Sequence, residues 1–545
     1  MNKLNKLPYI MLAALLFLSS CMKLNRVPET DFSDANFWNT ESDLQEACNR
    51  LYNQLAGYGI DNRADDSFGN TGDQISNGSR SVPSTSNDWS SPYDNIFTAN
   101  NILEKGLRAV NVAESVRNRY FGEARFFRAY YYLQLVEKYG DVPLVTKTLD
   151  VNDPELLMPR TSRAIVMDTI FSDLDYAAKW LPRAANLPAA DYGRVTQGAA
   201  LALKARAALY EGTFAKFHGT DEDASVDLQI AADAATSVMN ENYYGLFNSY
   251  ANMFQHEGDG PQNKENVFVK VYGSNAIVDG TDVNPIVTHD NSRNMENGRF
   301  APTRNLLVNY LCTDGLPWGQ SPLTEPESSY NAFFANRDPR LNMTVYEIGD
   351  TAYKGTWVPT TTAQRTGYAC RKGYNQADWD NLGKATVDKA LIRYAEVLLI
   401  YAEAKYEISG SISDADLDKS INKIRDRVNM PQLTNPFVIA NNLDMRTEIR
   451  RERTVELALE GFRYDDVIRW KTAETLMPKG ILGAKFIASE WPDTKASDLN
   501  LNADSLLIVE PAAKRAFKAD KDYLYPVPLN EISLSKGNVT QNPNW

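Results

Sequence analysis

The feature that most constrains the fold is a stripe of apolar residues at helical spacing that recurs along the chain. The segments 197–212 and 393–408 combine alanine with tyrosine, which permits close packing between helices. In the segment 116–139, five residues fall on one helical face: Tyr120, Ala124, Phe127, Tyr131 and Leu135. The pattern predicts a mostly α fold.

The helical segments also occur in pairs. Residues 228–239 follow the segment 197–212, and residues 417–428 follow the segment 393–408. Pairs of amphipathic helices with alanine and tyrosine at their contacts are typical of tetratricopeptide-like helix hairpins. No strict 34-residue consensus is present, so a scaffold of divergent repeats and a generic helical bundle both fit the pattern.

Composition divides the chain into four parts. We predict a signal peptide over 1–20 and an N-terminal helical half over 21–244, which opens with a capping box at Thr40 to Asp43. Residues 245–385 are rich in Gly, Pro, Asn, Thr and aromatic residues, which predicts a loop-rich, mixed insert with short strands that binds the ligand. Residues 386–545 return to helical patterns and end in an irregular tail.

The N-terminus has the features of a lipoprotein signal. Lys3 and Lys6 precede an apolar run over 10–18, which is shorter than the roughly 20 residues that span a bilayer. The ending Leu18-Ser19-Ser20-Cys21 resembles a lipobox, which predicts a lipid anchor on Cys21 and a position outside the cytoplasm. An ordinary secretory signal with a chance cysteine is the alternative. Met22 replaces the aspartate that often retains lipoproteins at the inner membrane.

The acidic net charge limits the kinds of molecule that the chain binds. The net charge is −13 and the pI about 5, so we expect no nucleic-acid partner.

Cys48, Cys312 and Cys370 form an odd set, which argues against a disulfide framework. Two arrangements of Cys312 and Cys370 remain open, a disulfide outside the cell or two free buried thiols.

No motif for catalysis is visible. The three histidines, His218, His256 and His289, have no second metal ligand at zinc spacing, and the chain has neither a G-x-S-x-G elbow nor a phosphate-binding loop. We therefore predict a non-catalytic protein without a cofactor or metal. With 70 acidic residues, a carboxylate pair for glycoside hydrolysis remains open.

One loop could bind calcium. Asp61, Asp65, Asp66 and Asp73 lie in the long polar loop over 57–92, and carboxylates are calcium ligands. Their spacing does not match an EF-hand loop, so a solvated acidic loop is the alternative interpretation.

Two regions carry residues suited to sugars, which are bound by flat aromatic rings together with amides, carboxylates and guanidinium groups. Trp89 and Trp318, in polar loops of these two regions, are expected to lie near each other on one exposed face. The alternative is that each tryptophan packs beneath its own loop. The predicted ligand-binding residues are Asp73, Asn77, Arg80 and Trp89 in the first loop, and Trp318, Tyr330 and Trp357 in the insert.

An ordered set of motifs spans the whole mature chain, and it resembles the SusD/RagB family of outer-membrane nutrient-binding lipoproteins. The motifs are 28–30 (PET), 36–38 (NFW), 122–131 (GEARFFRAYY), 139–144 (YGDVPL), 193–196 (GRVT), 337–340 (RDPR), 393–396 (RYAE), 421–425 (INKIR), 452–463, 469–470 (RW) and 541–545 (QNPNW).

The resemblance implies a tetratricopeptide-like scaffold with a variable insert, and ligand sites built from the first loop and the insert. It also implies a lipoprotein that is anchored in the outer membrane and faces the cell exterior. Such a protein binds an oligosaccharide, a polysaccharide or another nutrient without catalysis and delivers it to a SusC-like TonB-dependent transporter. A surface glycoside hydrolase and a helical-repeat scaffold for proteins or peptides remain as alternatives.

Most charged residues in these motifs are interpreted as scaffold. Arg125 and Arg128 lie in the middle of a predicted helix with Glu123, which favours a buried ion-pair network over contact with a ligand. The same interpretation applies to the charged residues over 450–463.

Overall fold

The computed structural model describes residues 34, 37–220, 223–273, 288–353, 355–362, 364–381, 385–492 and 494–545. The predicted signal peptide and Cys21 lie outside these ranges. Six longer helices build the first half: α1 (Glu41–Asn53), α2 (Asn87–Lys105), α3 (Glu114–Tyr139), α4 (Arg163–Trp180), α5 (Gln197–His218) and α6 (Ala224–Met239).

Short elements follow in the insert, and longer helices return after it. The helices are α7 (Asn291–Glu296), α8 (Arg304–Leu307), α9 (Arg340–Thr344), α10 (Gln376–Asp380), α11 (Tyr394–Ser409), α12 (Asp414–Lys419), α13 (Ile421–Arg427), α14 (Asn435–Ala440), α15 (Met445–Glu456), α16 (Arg463–Arg469), α17 (Ala473–Leu476) and α18 (Leu529–Leu534). The prediction of a mostly α fold is confirmed.

The strands are short and pair antiparallel in twos. Pairing of β1 (Ser67–Phe68) with β3 (Ala301–Pro302) joins the first loop to the insert, and β2 (Asn266–Lys270) pairs with β6 (Lys389–Arg393) beside α11. The hairpin of β4 (Thr351–Ala352) and β5 (Gly355–Thr356) lies in the insert, and β7 (Ile481–Lys485) pairs with β8 (Leu506–Glu510) near the C-terminus.

The helices pack as the sequence pattern predicts. Successive helices from α3 to α6 contact one another, and α11 packs on α6 and α15. Helix α1 begins with the predicted capping box, in which the Thr40 hydroxyl accepts from the amide of Asp43 and the Asp43 carboxylate accepts from the amide of Thr40. One continuous hydrophobic core runs through these helices.

Buried ion pairs tie the helices together. Arg128 of α3 donates two hydrogen bonds to Asp173 of α4, at 2.7 and 2.8 Å, and Arg125 donates a third at 3.0 Å. Glu123 instead accepts from Arg194 at 2.9 Å. These contacts agree with the scaffold interpretation, because each guanidinium is paired with a carboxylate of the helical scaffold.

A second hydrophobic core fills the insert. Tyr310, Phe333 and Tyr346 pack there with Ala484 and Trp491, which come from the chain after α17. The insert core is therefore complete only with residues from the C-terminal part of the chain.

Two predicted helices are broken. The segment 417–428 divides at Ser420, whose backbone (φ −128°, ψ −97°) is not helical, into α12 and α13. The helical pattern of the C-terminal part also predicts a helix over 448–470, which the structure divides into α15 and α16 around a turn in which Leu459 (φ 61°) and Gly461 (φ 88°) are left-handed. The motif 457–463 thus forms a turn, because glycine permits this conformation at no steric cost.

Cys48, Cys312 and Cys370 are free and buried. Of the two arrangements open for Cys312 and Cys370, the structure therefore shows the free thiols. None of the helices in the described ranges is long and apolar enough to cross a membrane.

Candidate functional site

A cavity of about 510 Å³ lies between the helical scaffold and the insert, and we call it the central cavity. Helix α3 forms one wall and strand β6 another. Residues that contribute to its lining are Gly57, Tyr58, Asp61, Arg63, Tyr130, Gln134, Glu137, Lys138, Phe254, Phe300, Lys372, Asp388, Lys389, Ala390, Glu460, Asp465 and Tyr525.

The wall from α3 is a polar stripe on a helix whose other faces are buried. Tyr130, Gln134, Glu137 and Lys138 follow one another at helical spacing and line the cavity, whereas their neighbours belong to the hydrophobic core. Within the described ranges Glu137 forms no ion pair. Burial and the neighbouring Asp465 carboxylate raise the pKa of Glu137 to about 8.

Arg63 contacts two of the carboxyl groups that line the cavity. Its guanidinium donates to both carboxylate oxygens of Asp61, at 2.9 and 2.8 Å, and lies 3.7 Å from Asp465. Burial alone would raise the pKa of Asp61, but the charge and hydrogen bonds of Arg63 hold it below its usual value. Burial also raises the pKa of Asp465.

The opposite wall combines aromatic rings with backbone carbonyls. The Tyr58 ring lies 4.0 Å from the ring of His289, and its hydroxyl donates to the carbonyl of Asp388 at 3.1 Å. Burial, and after it the charge of Asp259, raises the pKa of Asp388 to about 8. The cavity thus offers tyrosine rings, an amide and carboxyl groups, which are the groups that bind sugar hydroxyls and ring faces.

A second concavity of about 970 Å³, the insert groove, lies behind one wall of the central cavity. Gly373 lines both, whereas Arg371 and Tyr374 line only the groove and Cys370 and Lys372 only the cavity. Five of the residues that line the insert groove carry amide side chains: Asn252, Gln255, Asn336, Asn342 and Gln376.

Comparison with known proteins identifies this architecture. The sequence profile of the SusD family matches residues 264–545, and a profile described as starch-binding associating with outer membrane matches residues 34–209. The chain belongs to the SusD family.

Relatives of this SusD-family chain are similar over nearly its whole length. A SusD-like carbohydrate-binding protein from Bacteroides fragilis aligns with a TM-score of 0.75 and 26% identity, covering 91% of this chain and 99% of that one. A second SusD-like structure from that species aligns with a TM-score of 0.73 and 25% identity, covering 94% of this chain and 99% of that one. SusD-like protein P2 of Formosa agariphila is 25% identical over 99% of both chains. These similarities support glycan binding at the level of the family.

The structure corrects the expectation for Trp89. This residue is not in a loop, because α2 begins at Asn87 after the Ser86 cap, and the tryptophan is only 4% exposed. Its ring packs edge-on against Tyr139, with centroids 4.9 Å apart, inside the helical core. The expectation that Trp89 and Trp318 share one exposed face is therefore wrong, and local packing holds for Trp89.

Tyr330 and Trp357 are also core residues, and not open platforms for a sugar. They are 3% and 5% exposed, and their ring centroids lie 5.3 Å apart in the second core. Trp318 is half-buried, with its ring against Phe333 and the Arg304 guanidinium 5.2 Å from its centroid. A ligand contact at Trp318 stays a prediction.

The polar residues of the first loop hold the loop in place. Asp73 accepts from the amides of Ile75 and Ser76, and Asn77 donates to Glu510 at 3.3 Å. The Arg80 guanidinium lies 4.0 Å over the ring of Tyr525, a cavity residue. Arg80 thus supports the cavity wall, and direct contact of these three residues with a ligand stays a prediction.

The acidic residues considered as calcium ligands bind different partners within the protein. Asp61 binds Arg63, Asp65 binds Arg463 at 2.8 Å, and Asp73 caps its own turn. Burial and the charge of Asp65 raise the pKa of Asp66 to about 7. No cluster of three metal-binding side chains occurs in the described ranges. This arrangement does not favour a calcium site in the loop.

Sequence analysis missed the polar stripe of α3. Gln134 and Glu137 were included in a helix interpreted as scaffold, although Gln134 interrupts the apolar run over 129–136 and Glu137 ends it. That interruption was the available signal.

Proposed function

We propose that this chain is a non-catalytic lipoprotein of the outer-membrane surface that binds an oligosaccharide or polysaccharide in the central cavity and delivers it to a SusC-like TonB-dependent transporter. The observation that carries the proposal is the central cavity itself, where Tyr130, Gln134 and Glu137 point polar groups into about 510 Å³ of space. Ligand sites of this size hold a drug-sized molecule, which is comparable with a short oligosaccharide.

Retention in affinity gels tests the proposal. A soluble chain that begins at Lys23 is run through gels containing neutral or acidic polysaccharides, and we expect retardation by at least one of them. New reducing ends are measured in parallel, because Glu137 with its raised pKa beside Asp465 resembles the acid and base of a glycosidase. Sustained release of reducing ends that stops in Glu137→Gln would favour the hydrolase instead.

The lipid anchor has its own test. We expect Cys21→Ala to give a soluble or signal-retaining protein that folds normally but loses partitioning into the detergent phase, because the thiol that carries the acyl chains is gone. Ser20→Ala serves as the matched control, since alanine is also a small residue before the cysteine. Unchanged detergent partitioning of Cys21→Ala would contradict the anchor.

A further inference from the structure

Two lysines face each other across a strand pair at the edge of the central cavity. In the antiparallel pairing of β2 and β6, Lys270 is directly opposite Lys389. Like charges directly opposite in a sheet repel each other and destabilise the pair. The arrangement therefore needs a compensating negative group.

The protein supplies only part of that compensation. The Lys270 ammonium donates to the carbonyl of Leu55 and the Lys389 ammonium to the carbonyl of Gly57, each at 2.6 Å. An ammonium has three donors, so most of the donor capacity of both groups remains. Neither lysine forms an ion pair with a carboxylate in the part of the chain that the structure describes.

Both ammonium groups meet at Gly57, which lines the central cavity together with Lys389. A Cβ on Gly57 would lie 3.9 Å from the Lys270 ammonium but only 2.4 Å from the Tyr272 hydroxyl, so glycine is required for this close approach. The absent side chain lets the Tyr272 hydroxyl and the Lys270 ammonium lie against the backbone at Gly57.

The other charges of the cavity are compensated. Asp61 is paired with Arg63, Glu460 with Lys372 and Asp88 with Lys138. The raised pKa values of Glu137 and Asp388, both about 8, keep these carboxyl groups largely protonated at neutral pH. Burial lowers the pKa of Lys270 and lowers that of Lys389 to about 8, so Lys389 stays largely protonated at neutral pH while neither lysine has a carboxylate partner in the described ranges. The net charge of −13 repels an anionic ligand only weakly, because charges more than roughly 8 Å away are screened at physiological salt.

We propose that the central cavity selects acidic glycans, and that a carboxylate or a sulfate ester of the sugar binds between Lys270 and Lys389. This inference rests on the proposed function, because it assigns the class of glycan to the same cavity. The anion would accept hydrogen bonds from both ammonium groups and remove their mutual repulsion.

Calorimetric titration tests the assignment. Oligomers of alginate and polygalacturonate supply carboxylates, carrageenan oligomers supply sulfate esters, and laminarin oligomers are the neutral reference. We expect one acidic class to bind more tightly than the neutral one, and Lys270→Met and Lys389→Met each to weaken that binding about 10- to 100-fold. Comparison of the carboxylated and sulfated oligomers identifies the anion.

Lys264→Met is the matched control. Lys264 also donates to a backbone carbonyl, at 3.0 Å from Pro261, but it neither lines the cavity nor lies opposite Lys389 in the strand pair. Affinity for acidic oligomers should be unchanged in this variant, and all three variants should unfold at the temperature of the wild type. Preferential binding of the neutral oligomers, or full affinity of both Lys270→Met and Lys389→Met for the acidic ones, would overturn the inference and leave the proposed function standing. Absence of binding to every glycan would overturn both.

Discussion

Replacing Glu456 with alanine is expected to destabilise the protein by about 3–5 kcal/mol. Glu456 is completely buried and accepts from three arginines: Arg340 at 3.0 Å, Arg393 at 2.6 Å and Arg427 at 2.5 Å. Removal of the carboxylate leaves these guanidinium groups buried with fewer partners, which costs more than the ion pairs themselves contribute. The midpoint of urea unfolding measures the loss.

Two further variants make this result specific. Glu456→Gln keeps the shape and an acceptor oxygen, so it should be less destabilising than alanine. Glu155→Ala removes the carboxylate of an exposed pair with Lys147, and it should leave the midpoint unchanged. A wild-type midpoint in Glu456→Ala would contradict the role that we give to the buried network.

A second buried ion-pair network, of Glu403, Arg469 and Asp466, predicts acid sensitivity. Burial alone would raise the pKa of Glu403, but the charge of Arg469 lowers it to about 2. A carboxyl group whose pKa is lower in the folded state stabilises the fold above its unfolded pKa of about 4.3, and that contribution is lost as the pH falls towards 2. Unfolding midpoints measured from pH 6 to pH 2 should therefore fall steeply below pH 4.5.

Replacing Gln134 with tryptophan is expected to weaken glycan binding by at least about 100-fold, or ~2.7 kcal/mol. Gln134 lies at the centre of the polar stripe of α3, so an indole at this position would occupy the space assigned to the sugar. The helix itself should tolerate the change, because the position is only half-buried and faces a cavity instead of the core. Calorimetry with the best-retained glycan gives the affinity.

The matched control is Gln229→Trp on the exposed face of α6. It makes the same chemical change on a helix that does not line the cavity, and both variants should keep the wild-type melting temperature. Retained affinity in a folded Gln134→Trp variant would mean that the sugar binds elsewhere, and the insert groove would then be the first place to examine.

The helical scaffold could be predicted because its signal is local. The stripe from Tyr120 to Leu135 and the alanines of α5 specify helices and their packing faces within single segments. The break at Ser420 interrupts an unbroken helical pattern, and the turn at Leu459 places a non-glycine residue in the left-handed region, so helical periodicity alone did not reveal them.

The site was harder to predict because it is assembled from distant segments. The polar interruption at Gln134 and Glu137 indicates a polar face on α3, but nothing near it in sequence indicates that this face shares a cavity with Asp465, more than 300 residues later. Trp89 was assigned to a loop because polar residues precede it, yet the Ser86 cap places it in the first turn of a helix that packs against Tyr139. Aromatic residues in polar segments therefore indicated satellite cores here more often than sugar platforms.

The most direct test of the account is a crystal structure of the soluble chain with the glycan that affinity gels retain best. We predict that the sugar lies in the central cavity, with a hydroxyl within hydrogen-bond distance of Gln134 or Glu137 and the bound chain uncleaved. A sugar bound only at the insert groove or at Trp318, with the central cavity filled by water, would contradict the account.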